Sequence, residues 1–273
     1  ELMQQTLARL EQLYAPWNVD KLRVNARTAE LIKYANNALL ATQISAINEI
    51  ANLAAAIGGI DIMDVARGVH LDKRWNPITA DGGRVAPPIL TYLVPGCGFG
   101  GSCFPKDLQA LRSLGKQHGL PMSVADAVLA VNDTQPRQVL DILARDLGSL
   151  AGKRILVLGL AFKPDTDDVR ESASLKIVDG LVADGAQVIA HDPIAAANFK
   201  RALGRVAEKV TLVEDWKGEV AQATAIVVAT KWRDYEALAG MNLAGKILLD
   251  ARRMFQPERT AGAIYRSIGR RIG

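Results

Sequence analysis

From Arg154 onward the chain alternates short apolar runs with helical stretches, and this alternation limits the possible folds more than any other feature. Residues 154–158 read as a buried strand closed by Gly159. A helix is predicted over 172–184, a strand over 187–191, a helix over 195–203, a strand over 210–213 and a helix over 216–221. Residues 225–230 and 246–250 are strand-like as well. Such a series predicts a parallel, doubly wound sheet. Ligands of such sheets sit at the carboxyl ends of the strands. Residues 159–171, 191–193, 230–232 and 250–253 occupy those ends.

The first half has a different character. Residues 1–14 predict a helix carrying Leu2, Leu7, Leu10 and Leu13, closed by Ala15-Pro16, and 21–24 a short strand. A long alanine- and leucine-rich helix is predicted from about Thr28 to Gly58-Gly59, where glycine ends it. Its apolar residues recur at helical spacing: Leu31, Tyr34, Ala38, Ala41, Ile44, Ile47, Ala51 and Ala54. A helix apolar on so much of its circumference packs against other helices or a second subunit. Further helices are predicted over 61–68, 107–118 and 123–147, so 25–150 reads as a helical domain and 151–273 as the α/β domain.

A chain of 273 residues allows about two domains of ~150 residues. With 49% hydrophobic and 23% charged residues, the composition is that of a soluble globular protein. No apolar run approaches the ~20 residues that cross a bilayer, so no membrane partner is expected. A net charge of +4, without lysine and arginine blocks interleaved with aromatics, argues against nucleic acid and suits phosphate-bearing small molecules. Cys97 and Cys103 cannot form a disulfide framework, which points to reduced thiols and a cytoplasmic location. His70, His118 and His191 have no zinc-ligand spacing, and no metal is expected. Because the chain opens on Glu1 rather than methionine, it is expected to be a fragment or a trimmed form.

Residues 95–107, PGCGFGGSCFPKD, place Cys103 at the end of a glycine-rich loop with Lys106 and Asp107 behind it. A thiol beside a cation at a helix start can be held partly as thiolate, the form that attacks carbon. Gly96, Gly98 and Gly101 also satisfy G-x-G-x-x-G. That fingerprint requires a strand before it and a βαβ unit around it, and Pro87-Pro88 and Pro105 argue against both. Cys97, boxed between glycines, reads as a buried small hydrophobe.

Lys33 and Asn37, four apart, share one helix face and can hold an oxygen or a water, although a solvated lysine is the plainer alternative. The polar loop 162–172 leads to a helix that Glu171 or Ser172 would cap, and its Lys163 and Arg170 suit phosphate, or simply solvent. Arg252 and Arg253 end the last predicted strand, facing the same crevice or water. His191 and Asp192 read as structural turn residues.

The segment FGGSCFPKD (99–107) closely resembles the active-site loop of the UDP-glucose/GDP-mannose dehydrogenase family. The likeness extends to AELIKYANN (29–37), GLAFK (159–163), RESAS (170–174), ATKW (229–232) and DARR (250–253), in family order over nearly the whole chain. It implies an all-helical dimerisation domain followed by a Rossmann-like doubly wound parallel sheet, in a homodimer built through the central helix.

It also implies oxidation of the C6 hydroxyl of a nucleotide sugar in two NAD-dependent steps. Cys103 would be the nucleophile, holding the C6 aldehyde as a thiohemiacetal and then a thioester. Lys33 and Asn37 would stabilise oxygen charge and position water, with Asp107 the partner in proton transfer. Lys106 and Arg170 would sit near NAD. Phe99, Gly100, Phe162, Lys163 and Arg252 or Arg253 would hold the substrate, with Tyr92 as a further contact and Arg74 offered across the dimer, Arg84 competing with it.

Three departures from the family pattern matter. Residues 1–24 look like the last helix and strand of an NAD-binding domain whose fingerprint is absent, so the isolated chain is expected to be inactive, a nucleotide-sugar-binding and dimerising fragment. The segment 75–90 is longer than in related sequences and would move Arg74. Lys231 stands where an acidic residue is common. The absence of a His-Cys pair argues against an amino-sugar substrate, leaving UDP-glucose as the expectation and GDP-mannose as the alternative.

Overall fold

Six parallel strands form the sheet that the alternation predicts: β1 (Arg154–Leu158), β2 (Gln187–His191), β3 (Val210–Leu212), β4 (Ala225–Val228), β5 (Ile247–Asp250) and β6 (Ile264–Ser267). Their order is β3-β2-β1-β4-β5-β6, with Leu156 of β1 level with Ile189 of β2 and Ile226 of β4. The order reverses beside β1, which puts a crevice at the carboxyl ends of β1 and β4. The sixth strand was not expected. A single 3-10 turn, Pro257–Arg259, stands between β5 and β6 in place of a helix, so the alternation that marks the other strands is missing there.

This computed structural model describes residues 2–260 and 262–271. Residue 1, the start of the first predicted helix, and 272–273, the end of the predicted α/β domain, lie outside the described residues. The chain divides into two units, 1–33 and 34–273. In the first, α1 (Leu2–Leu13) is followed by an irregular segment and by the start of α2 (Ala26–Ile57). Asn25 Oδ1 accepts the Thr28 N–H at 2.9 Å, a side-chain cap for the first turn. The predicted strand at 21–24 does not form. Leu22 and Val24 stand exposed, and an extended segment without a partner strand leaves its backbone groups to water.

In the second unit both faces of the sheet are covered. Ile155, Val157, Val188, Val227 and Leu249 pack on one side with Ile47 and Ala51 of α2, Val139 and Leu143 of α6 (Arg137–Leu147) and Ile177 and Leu181 of α7 (Ala173–Ala183). Leu156, Leu158, Ile226, Val228 and Leu248 pack on the other with Trp216, Val220, Trp232 and Tyr235. Burying each such side chain contributes about 1.5–3 kcal/mol, which explains why these strands read as continuous apolar runs.

The helices that frame the glycine loop are α4 (Phe104–Gln117) and α5 (Ser123–Thr134), together with α2; α3 (Ile62–His70), α8 (Ala196–Leu203) and α9 (Lys217–Val220) lie elsewhere in the chain. The structure splits the predicted helix 123–147 into α5 and α6. Pro136 lacks an amide hydrogen and clashes with the preceding turn, so Gln135-Pro136 is a joint. A small core of Ala41, Phe99, Leu108, Ala125 and Val128 ties α2, α4 and α5 to the loop. Among the described residues no helix is long and apolar enough to cross a membrane. None of their His, Cys, Asp and Glu side chains form a group of three or more placed to hold a metal ion.

Candidate active site

The glycine loop lies against the carboxyl ends of the central strands. A Cβ on Gly100 would stand 2.2 Å from the Glu171 carbonyl oxygen, so only glycine lets the two backbones meet there. Gly101 N–H donates to Arg170 O at 2.8 Å, and Cys97 N–H to Ala251 O at 3.1 Å. Arg252 follows β5 and reaches both sides of the crevice, its Nη1 donating to Gly98 O and its Nε to Ala229 O, each at 2.7 Å. Phe99, Gly100, Phe162, Arg170 and Arg252 are thus brought together. Residues 88–93 before the loop form a 3-10 turn and not a strand, which removes the dinucleotide reading of G-x-G-x-x-G.

Cys103 leaves this loop as the N-cap of α4, with its side chain exposed. Asp107, one turn on, is fully buried. Its Oδ2 accepts from Asn37 Nδ2 and its Oδ1 from Lys106 Nζ, both at 2.6 Å. The bond to Asp107 lifts the Lys106 ammonium above its usual range; partial desolvation opposes this, while the charges of Asp107, Tyr34 and Cys103 add to it. Arg170 is lifted first by its fork on Asp168 and also feels Cys103. Lys106 stands three residues on from Cys103 in the first turn of α4, and the Arg170 carbonyl is bonded to the Gly101 N–H, so two cations from different elements lie in the neighbourhood of the thiol. Phe104, next to Cys103, meets Phe99 edge-on at 5.7 Å and Tyr92 at 6.2 Å, walling one side. Cys97 is buried, and burial pushes its thiol up.

Lys33 ends the first unit, four residues before Asn37 along α2. Lys163 is exposed, its ammonium 5.5 Å from the Phe162 ring centre. Arg253 turns into the protein instead of the crevice. It adopts a φ of 55°, pairs with Asp61 at 2.9 Å and donates to Ile268 O at 2.8 Å. Arg74 is exposed and forks on Asp72, at 3.0 and 2.6 Å. Arg84 donates to Leu71 O at 2.9 Å and is tied into its own loop.

The turn after β1 is where a doubly wound sheet commonly takes a phosphate. Here Asp192 fills it. Its Oδ2 accepts Leu160 N–H at 2.7 Å, Ala161 N–H at 3.0 Å and the Trp232 indole at 3.0 Å, while its Oδ1 accepts Ile194 and Ala195 N–H at 3.1 and 2.9 Å. His191 packs beside it against Tyr235, 3.0 Å from the hydroxyl, and burial lowers its pKa. His191 ends β2 and is not a turn residue as expected; Asp192, directly after it, spends both carboxylate oxygens on bonds within the protein. Sequence reading missed the amides Asn48, Asn132 and Gln135, which hold the glycine loop. Their one signal is polar side chains set in otherwise apolar helical stretches.

Residues 27–134 match the model for the UDP-glucose/GDP-mannose dehydrogenase family, central domain, and residues 156–257 that for the same family's UDP binding domain. The chain is 39% identical to the UDP-glucose 6-dehydrogenase TuaD of Bacillus subtilis, over 96% of this chain and 55% of that protein. It is 38% identical to a UDP-glucose 6-dehydrogenase of Pseudomonas aeruginosa, over 96% of this chain and 57% of that protein. The structure of a UDP-glucose dehydrogenase from Pyrobaculum islandicum superposes with a TM-score of 0.83 at 37% identity, over 98% of this chain and 57% of that one. The chain spans a little over half the length of these relatives.

Proposed function

We infer, for a chain that belongs to the UDP-glucose/GDP-mannose dehydrogenase family, that it carries the substrate-binding and covalent-catalysis half of a nucleotide-sugar 6-dehydrogenase. The reaction is oxidation of UDP-glucose to UDP-glucuronate. The observation that carries the reading is Cys103 at the head of α4, one turn from a buried carboxylate held by Asn37 and Lys106. After the first oxidation, the Cys103 thiolate bonds to C6 of the aldehyde and the carbonyl oxygen takes a proton, giving a thiohemiacetal. Loss of the hydride from C6 together with the hydroxyl proton leaves a thioester, which water cleaves to the acid and the free thiol. Tethering keeps the aldehyde from escaping between the two oxidations. NAD, when bound, accepts the hydride in each oxidation.

Asn37 carries two amide N–H donors. One serves Asp107, and the other is assigned to the oxygen on C6 or to the hydrolytic water, with Lys33 a turn ahead on the same helix. Asp107 takes the protons released. Lys106 and Arg170, which both feel Cys103, are the residues that would face a phosphate-bearing cofactor. The turn after β1 does not fit that cofactor, because Asp192 already uses its N–H donors. Phe99, Gly100, Phe162, Lys163 and Arg252 hold the nucleotide sugar, with Tyr92 beside them. Arg253 is instead tied to Asp61 and the Ile268 carbonyl, and Arg74 is offered to a second copy.

That copy docks on α2, where Leu39, Ile50, Leu53 and Ile57 are between 46% and 65% exposed at helical spacing. Because the chain spans about half of its relatives, a second reading has its own support: by itself the chain binds nucleotide sugar and dimerises without turnover. UDP-glucose and NAD added together separate the two. Formation of NADH supports catalysis by the chain, whereas calorimetric binding of UDP-glucose without NADH supports the binding module. Absence of both sinks the proposal.

A further inference from the structure

The loop from Gly96 to Gly101 makes no helix or strand bonds of its own, yet its backbone is held at nearly every residue. Gly96 N–H donates to Asn48 Oδ1 at 2.8 Å, and Gly96 O accepts from Gln135 Nε2 at 3.0 Å. Gln135 is in turn braced by Asn52, whose Nδ2 donates to its Oε1 at 2.9 Å. Phe99 is gripped twice by one side chain: its N–H donates to Asn132 Oδ1 at 2.7 Å, and its carbonyl accepts from Asn132 Nδ2 at 3.0 Å. This amide stands in for a neighbouring strand. Four glycines within six residues would otherwise give the segment wide backbone freedom, and Cys103 hangs four residues beyond the grip.

We propose that Asn132 is a positioning residue for Cys103: by clamping both backbone groups of Phe99 it fixes where the glycine loop delivers the thiol relative to Lys106 and Arg170. This rests on Cys103 as the nucleophile, but Asn132 touches neither substrate nor thiol. It sits on α5, one turn before the joint at Pro136, and acts through the loop. Gln135 and Asn48 fix the loop's entry and Asn132 its middle, beyond which the chain reaches α4 with no further side-chain amide.

The test reads the charge around the thiol and needs neither cofactor nor sugar. Cys103 is the exposed thiol and Cys97 is buried, so alkylation reports on Cys103, with Cys103→Ser as the control. The ratio of iodoacetate to iodoacetamide rates at low salt measures the local positive potential, since the reagents differ in charge. In the unsubstituted chain that ratio should exceed the ratio for free cysteine. Asn132→Ala and Asn132→Leu, the second filling the same space without hydrogen bonds, should each lower it by about threefold or more while the circular dichroism stays native. Asn132→Gln, which keeps donor and acceptor on a longer arm, should restore part of it.

An unchanged ratio in folded Asn132→Leu would mean that the residue only packs, and would overturn the proposal. So would a native ratio equal to that of free cysteine. Loss of the folded state in all three variants would make Asn132 a residue of the fold and not of the thiol. Failure of the dehydrogenase reading shows separately, as full turnover by Cys103→Ser in the intact enzyme.

Discussion

Two glycine turns meet at the crevice, and they treat anions in opposite ways. The turn after β1 has the N–H donors that a phosphate would use, but the chain's own Asp192 carboxylate consumes them. The 96–101 loop spends its backbone groups on side chains from α2, α5 and the segment after β5, and leads to an exposed thiol at the head of α4. The first is closed and holds the sheet together. The second is rigid but open. A glycine-rich turn at a strand end is therefore not by itself a ligand site; what matters is whether its donors are already answered.

The comparison breaks most sharply at Cys103. On the proposed mechanism, Cys103→Ser should cut formation of the acid by about a thousandfold or more while leaving the melting temperature in place, because the side chain is exposed. Product analysis beside thermal melting checks this, and unchanged turnover would remove the nucleophile.

Next come the glycines. A Cβ on Gly159 would lie 2.4 Å from Thr230 Cβ at a φ of 93°, so Gly159→Ala should destabilise the whole sheet by about 3 kcal/mol or more. Gly100→Ala should instead move the loop off Glu171, lowering turnover by about a hundredfold with a much smaller shift in melting. Equal melting shifts for the two would erase the distinction between closed and open turns.

Asp192→Asn leaves one acceptor oxygen where two served five donors, and sets an amide against N–H groups. The expected loss is about 2–3 kcal/mol in urea unfolding, and a neutral result would mean that the turn is not held by its plug.

The smallest effect concerns ligands. UDP should raise the melting temperature of this chain more than NAD does, since the β1 turn is shut to a dinucleotide; saturation at about a hundred times Kd corresponds to roughly 2.7 kcal/mol. A larger shift with NAD would reopen that turn.

Much of this was readable without coordinates wherever one physical signal dominated. Buried parallel strands advertise themselves as apolar runs, and β2 falls on the residues expected for it. The failures share a cause: each depended on a neighbour. Residues 21–24 look like a strand but have no partner, and β6 is a strand whose preceding connection hides the alternation. The break between α5 and α6 was written in Pro136 and was passed over because the apolar spacing runs through it. Arg252 and Arg253 are indistinguishable in sequence. The fold turns one toward the glycine loop and the other onto Asp61, whose carboxyl stays below its usual range: burial raises it, but the Met63 amide, Arg253 and Arg270 together outweigh that.

The amino-acid order alone thus determined the α/β architecture of the second half, the cysteine loop and the set of residues able to serve it, because apolar periodicity and residue chemistry are local properties. Tertiary structure decided which of those groups meet. Asn37, seventy residues earlier, reaches the buried carboxylate of Asp107, and Asn132 and Gln135 return from α5 and its joint to hold the glycine loop. Hydrogen bonds across such separations depend on how the elements pack, and no local pattern in the chain records them.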